Sequence, residues 1–255
     1  MQTRRILILG GTSEARQLAA RLSSRGDMSV TMSLAGRTLD PQPMPVPTRV
    51  GGFGGVAGLA DYLRREAVSL LIDATHPFAD QMARHAVLAS QQADVPLVKL
   101  DRPAWARQEG DRWISVSSVE DAIDALGQRP RRVFLAIGRQ EAAAAARAPQ
   151  HAYVVRSVDP IDPPLDVPDV RYVLDRGPFS REREEALLRE RQIDVLVCKN
   201  SGGDATSAKL AAARTLGVEV VMVERKPRLA TSTVSSVEEL LSLADSGNFG
   251  RGSSM

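Results

Sequence analysis

The chain repeats itself. RRILILGG from Arg4 matches RRVFLAIG from Arg131, and LLIDATHPFA matches VLVCKNSGGDA with Asp73 opposite Lys199. VPLVKLDRP matches VEVVMVERKP with Pro103 opposite Pro227, and ISVSSVEDAIDAL from Ile114 matches STVSSVEELLSL from Ser232. One such match is chance; four in the same order describe a duplicated unit. Within each copy, short apolar runs alternate with amphipathic helical patterns, the signature of strands buried on both faces and joined by crossover helices. The predicted fold class is therefore α/β: two similar Rossmann-like domains with mostly parallel sheets, and a cleft between them. The boundaries read as 1–103 for the first domain and 104–246 for the second. The tail 247–255 is polar, lacks apolar periodicity, and is expected to be disordered.

The first βα turn carries the strongest chemical signal. Ile6 to Leu9 is an apolar run stopped by Gly10 and Gly11. Thr12 or Ser13 can cap the helix that follows, whose Ala15, Leu18, Ala19 and Leu22 share one face. Strand, glycine turn and capped helix together make an anion site, because unpaired N–H groups and the positive end of the helix dipole converge on it. The match to G-x-G-x-x-G is partial, and a tight βα turn of any α/β protein is the bland alternative. The next strand, Met28 to Met32, ends at Ser33 with Arg37 beyond it. An NAD site usually carries Asp or Glu there for the ribose 2′-OH; a hydroxyl and a guanidinium suit a 2′-phosphate, so NADPH is the expected cofactor. A solvated loop arginine is the alternative for Arg37. A short strand, Thr48 to Val50, ends in a glycine-rich segment whose Gly52 is a further cofactor-binding candidate.

Asp73-Ala74-Thr75-His76-Pro77 stands at a strand end, where side chains face a ligand. Thr75 and His76 are assigned to the cofactor side, and His76, kept extended by Pro77, is also a catalytic candidate. Capping by Asp73 or Thr75 with a locally satisfied histidine is the structural alternative, and His85 falls inside a helix. The second half is basic and polar at the corresponding places: Arg139, Arg156, Arg176, and the loop Lys199-Asn200-Ser201-Gly202-Gly203. These, with Arg102, are candidates for an anionic substrate, and Lys199 is a second catalytic candidate. An ordinary glycine-rich βα loop is the alternative reading of residues 199–203. The charged helix near 181–191 reads as a solvated face with i,i+4 pairs.

Composition narrows the classes. A net charge of +2 and 4% aromatic residues argue against nucleic acid. One cysteine, Cys198, allows no internal disulfide and is expected to be inert packing, and with three histidines no metal site is expected. No apolar run is long enough to span a membrane and no cleavable signal precedes Arg4, so no membrane contact and a cytoplasmic location are expected.

Taken in series, ILGGTSEAR, DATHPFA, RPAW, the RSVDP region, RGPFS and CKNSGG make the chain resemble the precorrin-6A reductase family of cobalamin biosynthesis from about residue 4 to 228. The resemblance implies a two-domain Rossmann-like reductase that transfers hydride from a reduced nicotinamide to a ring carbon of the precorrin-6A macrocycle, giving precorrin-6B. It implies that Gly10, Gly11, Thr12, Ser13, Glu14 and Arg16 form the cofactor turn, with the tetrapyrrole near DATHPFA and CKNSGG. A hand-over with neighbouring pathway enzymes is a further expectation. The resemblance carries over no general acid. Three alternatives stay open. One is a cobalt-precorrin-6A reductase using NADH; another is a non-catalytic nucleotide-binding regulatory protein. The third, a short-chain-type dehydrogenase, lacks a Tyr-x-x-x-Lys pair, since Glu66 follows Tyr62 and Ser157 follows Tyr153.

Overall fold

The computed structural model describes residues 3–36, 38–39 and 42–246; Arg37 and the tail 247–255, both subjects of expectations above, lie outside the described residues. The first half of the chain runs β1 (Arg4–Leu9), α1 (Ser13–Ser23), β2 (Met28–Leu34), β3 (Thr48–Val50), α2 (Gly55–Arg65), β4 (Leu70–Asp73), α3 (Asp80–Ala93), β5 (Leu97–Leu100), β6 (Trp113–Val116) and α4 (Val119–Asp124). The second half runs β7 (Arg132–Ala136), a 3-10 helix (Ala142–Arg147), β8 (Ala152–Ser157), β9 (Val170–Leu174), α5 (Arg181–Glu190), β10 (Val195–Lys199), α6 (Ala208–Leu216), β11 (Glu219–Val223), β12 (Ser232–Val234) and α7 (Val237–Ser246). The duplication read from the sequence is thus a repeat of elements, with the 3-10 helix standing where α1 stands.

These elements form two six-stranded sheets, ordered β12-β5-β4-β1-β2-β3 and β6-β11-β10-β7-β8-β9. Every strand pair is parallel. Each sheet draws five strands from one half and its sixth from the other: β6 pairs with β11 through Val220↔Trp113, and β12 pairs with β5 through Thr233↔Lys99. The compact units are accordingly Met1–Pro103 with Pro227–Met255, and Ala104–Lys226. This corrects the expected second domain of 104–246, because residues from Pro227 onward return to the first sheet. The sequence hides the exchange for a simple reason. The strand-to-helix junctions of β6–α4 and β12–α7 both read VSSVE, at 116–120 and at 234–238, so the sequence does not tell which edge each joins.

In the first unit, β1 is buried on both faces, as its unbroken apolar run requires. Ile6 and Ile8 pack with Leu18 and Leu22 of α1 and with Leu240 of α7, while Leu7 and Leu9 pack with Leu59 and Leu63 of α2. In the second unit, Phe134, Leu196 and Met222 pack with Leu188 of α5 and Leu210 of α6. Cys198 is fully buried in that core. Burial pushes its thiol up to about 11, which fits the expected inert role. Helix α6 starts only at Ala208, so residues 201–207 form an irregular loop that ends in a turn.

Candidate functional site

The turn after β1 lies where an open parallel sheet binds ligands, at the carboxyl ends of β1 and β4, where strand order reverses. Thr12 is the helix cap. Its hydroxyl accepts the Ala15 N–H at 3.1 Å and donates to the Ala74 carbonyl at 2.9 Å, tying α1 to the end of β4. The two glycines do different work. A Cβ on Gly10 would stand 2.2 Å from Met32 Sδ, so Gly10 is needed for packing. Gly11 has φ +123°, and a Cβ placed on it would meet no atom within 4 Å, so it is needed for the turn and faces open space. An open, positive-φ glycine beside a capped helix N-terminus fits the pyrophosphate of a dinucleotide.

Glu14 stands in the first turn of α1, and Arg102, placed beyond β5, meets its carboxylate at 2.6 Å. Arg102 is expected among the substrate cations; in the structure it stands at the turn after β1. Thr12, Glu14, Thr75, Pro77, Leu100 and Arg102 line one small, partly open cavity. Burial works to raise the Glu14 pKa. The Arg102 charge, Glu14's own backbone N–H and hydrogen bonds from Arg102 and Ser13 outweigh it, holding the carboxyl below its ordinary value. Arg16 follows on α1, and its Nε is buried without a hydrogen-bond partner.

At the end of β2, Ser33 is buried and its Oγ accepts from Arg49 Nη1 at 2.8 Å. Arg49 sits beside it on β3. It also donates to the carbonyls of Gly51 at 3.0 Å and Gly52 at 2.9 Å, and its guanidinium lies 3.8 Å from the Phe53 ring centre. Sequence reasoning missed Arg49, which becomes visible only through the β2–β3 register.

At the end of β4, buried Asp73 accepts from Thr75 N–H at 3.1 Å and Thr75 Oγ1 at 2.6 Å. Thr75 therefore orients its loop as well as lining the cavity. His76 is exposed, and its Nδ1 accepts the Phe78 N–H at 3.2 Å. That bond puts the proton of the neutral ring on Nε2. Arg228, also missed, comes from the returning C-terminal segment and holds this loop through Asp80 Oδ1 at 2.9 Å and the Pro77 carbonyl.

The second unit spends most of its expected cations on internal partners. Arg156 is buried between Phe134 and Phe179 and pairs with Glu184, Nη2 to Oε2 at 3.0 Å. It is a core ion pair rather than an open anion site, because a buried guanidinium must be matched within the fold. Asn200 is likewise structural: its side chain accepts the Trp105 N–H at 2.8 Å and donates to the Trp105 carbonyl and to Glu224. Gly203 accepts from the Trp105 indole at 2.9 Å, and Ser201 Oγ donates to the Lys199 carbonyl at 3.3 Å. Gly202 takes the turn at φ +65°. Lys199 pairs with Glu141, and Arg139 lies 3.9 Å from Asp159. Arg176 follows β9, its N–H donating to Asp175 at 2.8 Å. With a 3-10 helix in place of α1, the turn after β7 lacks a full helix N-terminus. No group of three or more His, Cys, Asp or Glu suited to a metal exists among the described residues. No helix among them is long and apolar enough to cross a membrane.

Comparison with known proteins covers the same span. The family model for precorrin-6x reductase CbiJ/CobK matches residues 5–245. A precorrin-6A reductase of Sinorhizobium sp is 56% identical over 94% of this chain and 92% of its own length. One from Rhodobacter capsulatus is 49% identical over 97% of this chain and 99% of its own. A solved structure described as CobK precorrin-6A reductase superposes with a TM-score of 0.92 at 48% identity, covering 96% of this chain and 98% of that one.

Proposed function

The chain belongs to the precorrin-6x reductase CbiJ/CobK family, and from that premise we propose that it reduces precorrin-6A to precorrin-6B with NADPH. The observation that carries the cofactor half is the turn after β1: an open Gly11 at φ +123° beside a helix capped by Thr12. The substrate half rests on the relatives' shared activity and on Lys199, Arg139 and Arg176 at strand ends of the second unit.

A bound reduced nicotinamide supplies the hydride. The protein's residues do the rest. The first-turn amides of α1 and the Gly10–Gly11 turn hold the pyrophosphate, while Arg102 offsets the Glu14 charge beside it. Ser33 and the sequence position of Arg37 favour a 2′-phosphate. Lys199 anchors a carboxylate of the tetrapyrrole's acetate and propionate fringe, exchanging Glu141 for it. The reaction takes up one proton as well as the hydride. His76, exposed at the end of β4 with its proton on Nε2, is placed to deliver it or pass it from solvent. Lys199 is the poorer donor, because its ammonium is already engaged by the Glu141 carboxylate.

The test is loss of NADPH absorbance after addition of precorrin-6A, with the cobalt-loaded ring and NADH as parallel arms. Turnover of the metal-free ring with NADPH is expected to exceed the other combinations. Turnover of the cobalt form alone, or none, would overturn the reading.

A further inference from the structure

We propose that Arg49 is the residue that reads the cofactor's 2′-phosphate, and so sets the preference for NADPH over NADH. The inference rests on the NADPH reading above and deepens it. In a parallel sheet of this order, the carboxyl ends of β2 and β3 lie beside the adenosine ribose. A carboxylate at the end of β2 would accept the ribose hydroxyls there. Here the position is Ser33, and its hydroxyl is already held by Arg49. The corner that would be negative in an NADH site is thus positive.

Arg49 is also unusually well fixed for a cation at a strand edge. It is paired with Ser33 in the β2–β3 register. Ser33 Oγ and the carbonyls of Gly51 and Gly52 engage three of its N–H groups, and the Phe53 ring supports its plane. No carboxylate is paired with it among the described residues. A guanidinium has five donors, so two are left to meet a dianionic phosphate in a fixed geometry. Fixing the side chain in advance means that little rotamer entropy is lost when the phosphate arrives. Two of these bonds also hold the Gly51–Gly52 backbone, which gives Arg49 a structural role as well. The two roles separate by cofactor: loss of the loop's support weakens NADPH and NADH together, whereas loss of the phosphate contact weakens only NADPH.

The experiment titrates the full-length protein with NADPH, NADH, 2′,5′-ADP and 5′-ADP, for wild type, Arg49→Ala, Arg49→Lys and Arg37→Ala. Arg49→Ala is expected to weaken NADPH and 2′,5′-ADP by about ten- to a hundredfold relative to NADH and 5′-ADP. Arg49→Lys, which keeps the charge, should recover part of the discrimination. A wild-type preference for NADPH that survives Arg49→Ala, or an equal loss for all four ligands, would overturn the Arg49 assignment and leave the NADPH reading intact. A wild type that binds NADH as tightly as NADPH would overturn the NADPH reading itself. Should Arg49→Ala fail to melt cooperatively, Arg49→Lys carries the decision. A discrimination in that variant identical to wild type for the 2′-phosphate pair, with Arg37→Ala abolishing it, would assign the phosphate to Arg37 instead.

Discussion

The Arg102 guanidinium closes on the Glu14 carboxylate at 2.6 Å, joining residues 88 positions apart at the rim of the turn that follows β1. A carboxylate in the first turn suits the helix dipole but opposes a phosphate arriving at the same place. Arg102 resolves that conflict. Its removal leaves a bare negative charge beside the pyrophosphate, so Arg102→Ala should weaken NADPH and NADH alike, by about tenfold. Combining it with Glu14→Gln should restore most of the loss. Isothermal titration of the two variants measures this, and unchanged binding in Arg102→Ala would place Arg102 with the substrate, as its sequence position first implied.

The two glycines of the same turn should fail in different ways. Gly10→Ala drives a Cβ into Met32 Sδ, and overpacking of this kind costs about 1–3 kcal/mol. It should therefore show chiefly as a lower melting temperature. Gly11→Val has space but the wrong backbone. Strain of about 1–3 kcal/mol is expected, together with loss of cofactor binding while the protein still melts cooperatively. Normal NADPH binding by Gly11→Val would move the cofactor away from this turn.

How much of this was legible in the sequence depends on distance along the chain. The local features could be read: the apolar run of β1, the Thr12 cap, the buried face of α1, and the strand-end position of Asp73 to His76. These depend on periodicity and turn chemistry within a few residues. The exchanged sixth strands could not be read, because β6 and β12 run into their helices through the same VSSVE sequence, at 116–120 and at 234–238, and nothing local assigns either strand to a sheet. The fates of Arg156 and Asn200 were hidden as well. Glu184 lies 28 residues from Arg156 and Trp105 lies 95 from Asn200, so only the folded chain shows that their polar groups are already satisfied. Arg49 and Arg228 were missed because each reaches the strand ends of the first sheet only through strand register or through the return of the C-terminal segment.

Lys199 and Glu141 make a pair that a substrate carboxylate must displace. As an anchor, Lys199→Ala should raise KM for the macrocycle about tenfold with kcat largely kept. Glu141→Gln removes the internal competitor and should lower KM. If instead Lys199→Ala lowers kcat and removes a limb of the pH profile, the lysine is the proton donor and His76 is not. Binding of NADPH should be unaffected in both variants.

His151 gives the second unit a pH dependence of its own. It is 1% exposed, and its Nδ1 accepts the Arg131 N–H at 3.2 Å. Burial, with the Arg131 charge, lowers its pKa below 6.5 against the opposing bond to Gly127. The folded state thus refuses a proton that the unfolded chain accepts. This contribution to stability is complete above 6.5 and is lost as pH falls from there through the folded pKa. Chemical denaturation across that range should show a falling unfolding free energy in wild type and a flatter profile in His151→Gln. Parallel profiles would remove His151 as the cause.

In the proposed reaction, a nicotinamide cofactor held at the β1 turn gives its hydride to the precorrin-6A ring. The most direct measurement uses NADPH deuterated at the transferable position of the nicotinamide, with mass spectrometry of the macrocycle after turnover. The expected result is a product carrying one deuterium from the cofactor, formed by wild type and lost in Gly11→Val. A reduced macrocycle without the label, or labelled product from Gly11→Val at the wild-type rate, would contradict the account.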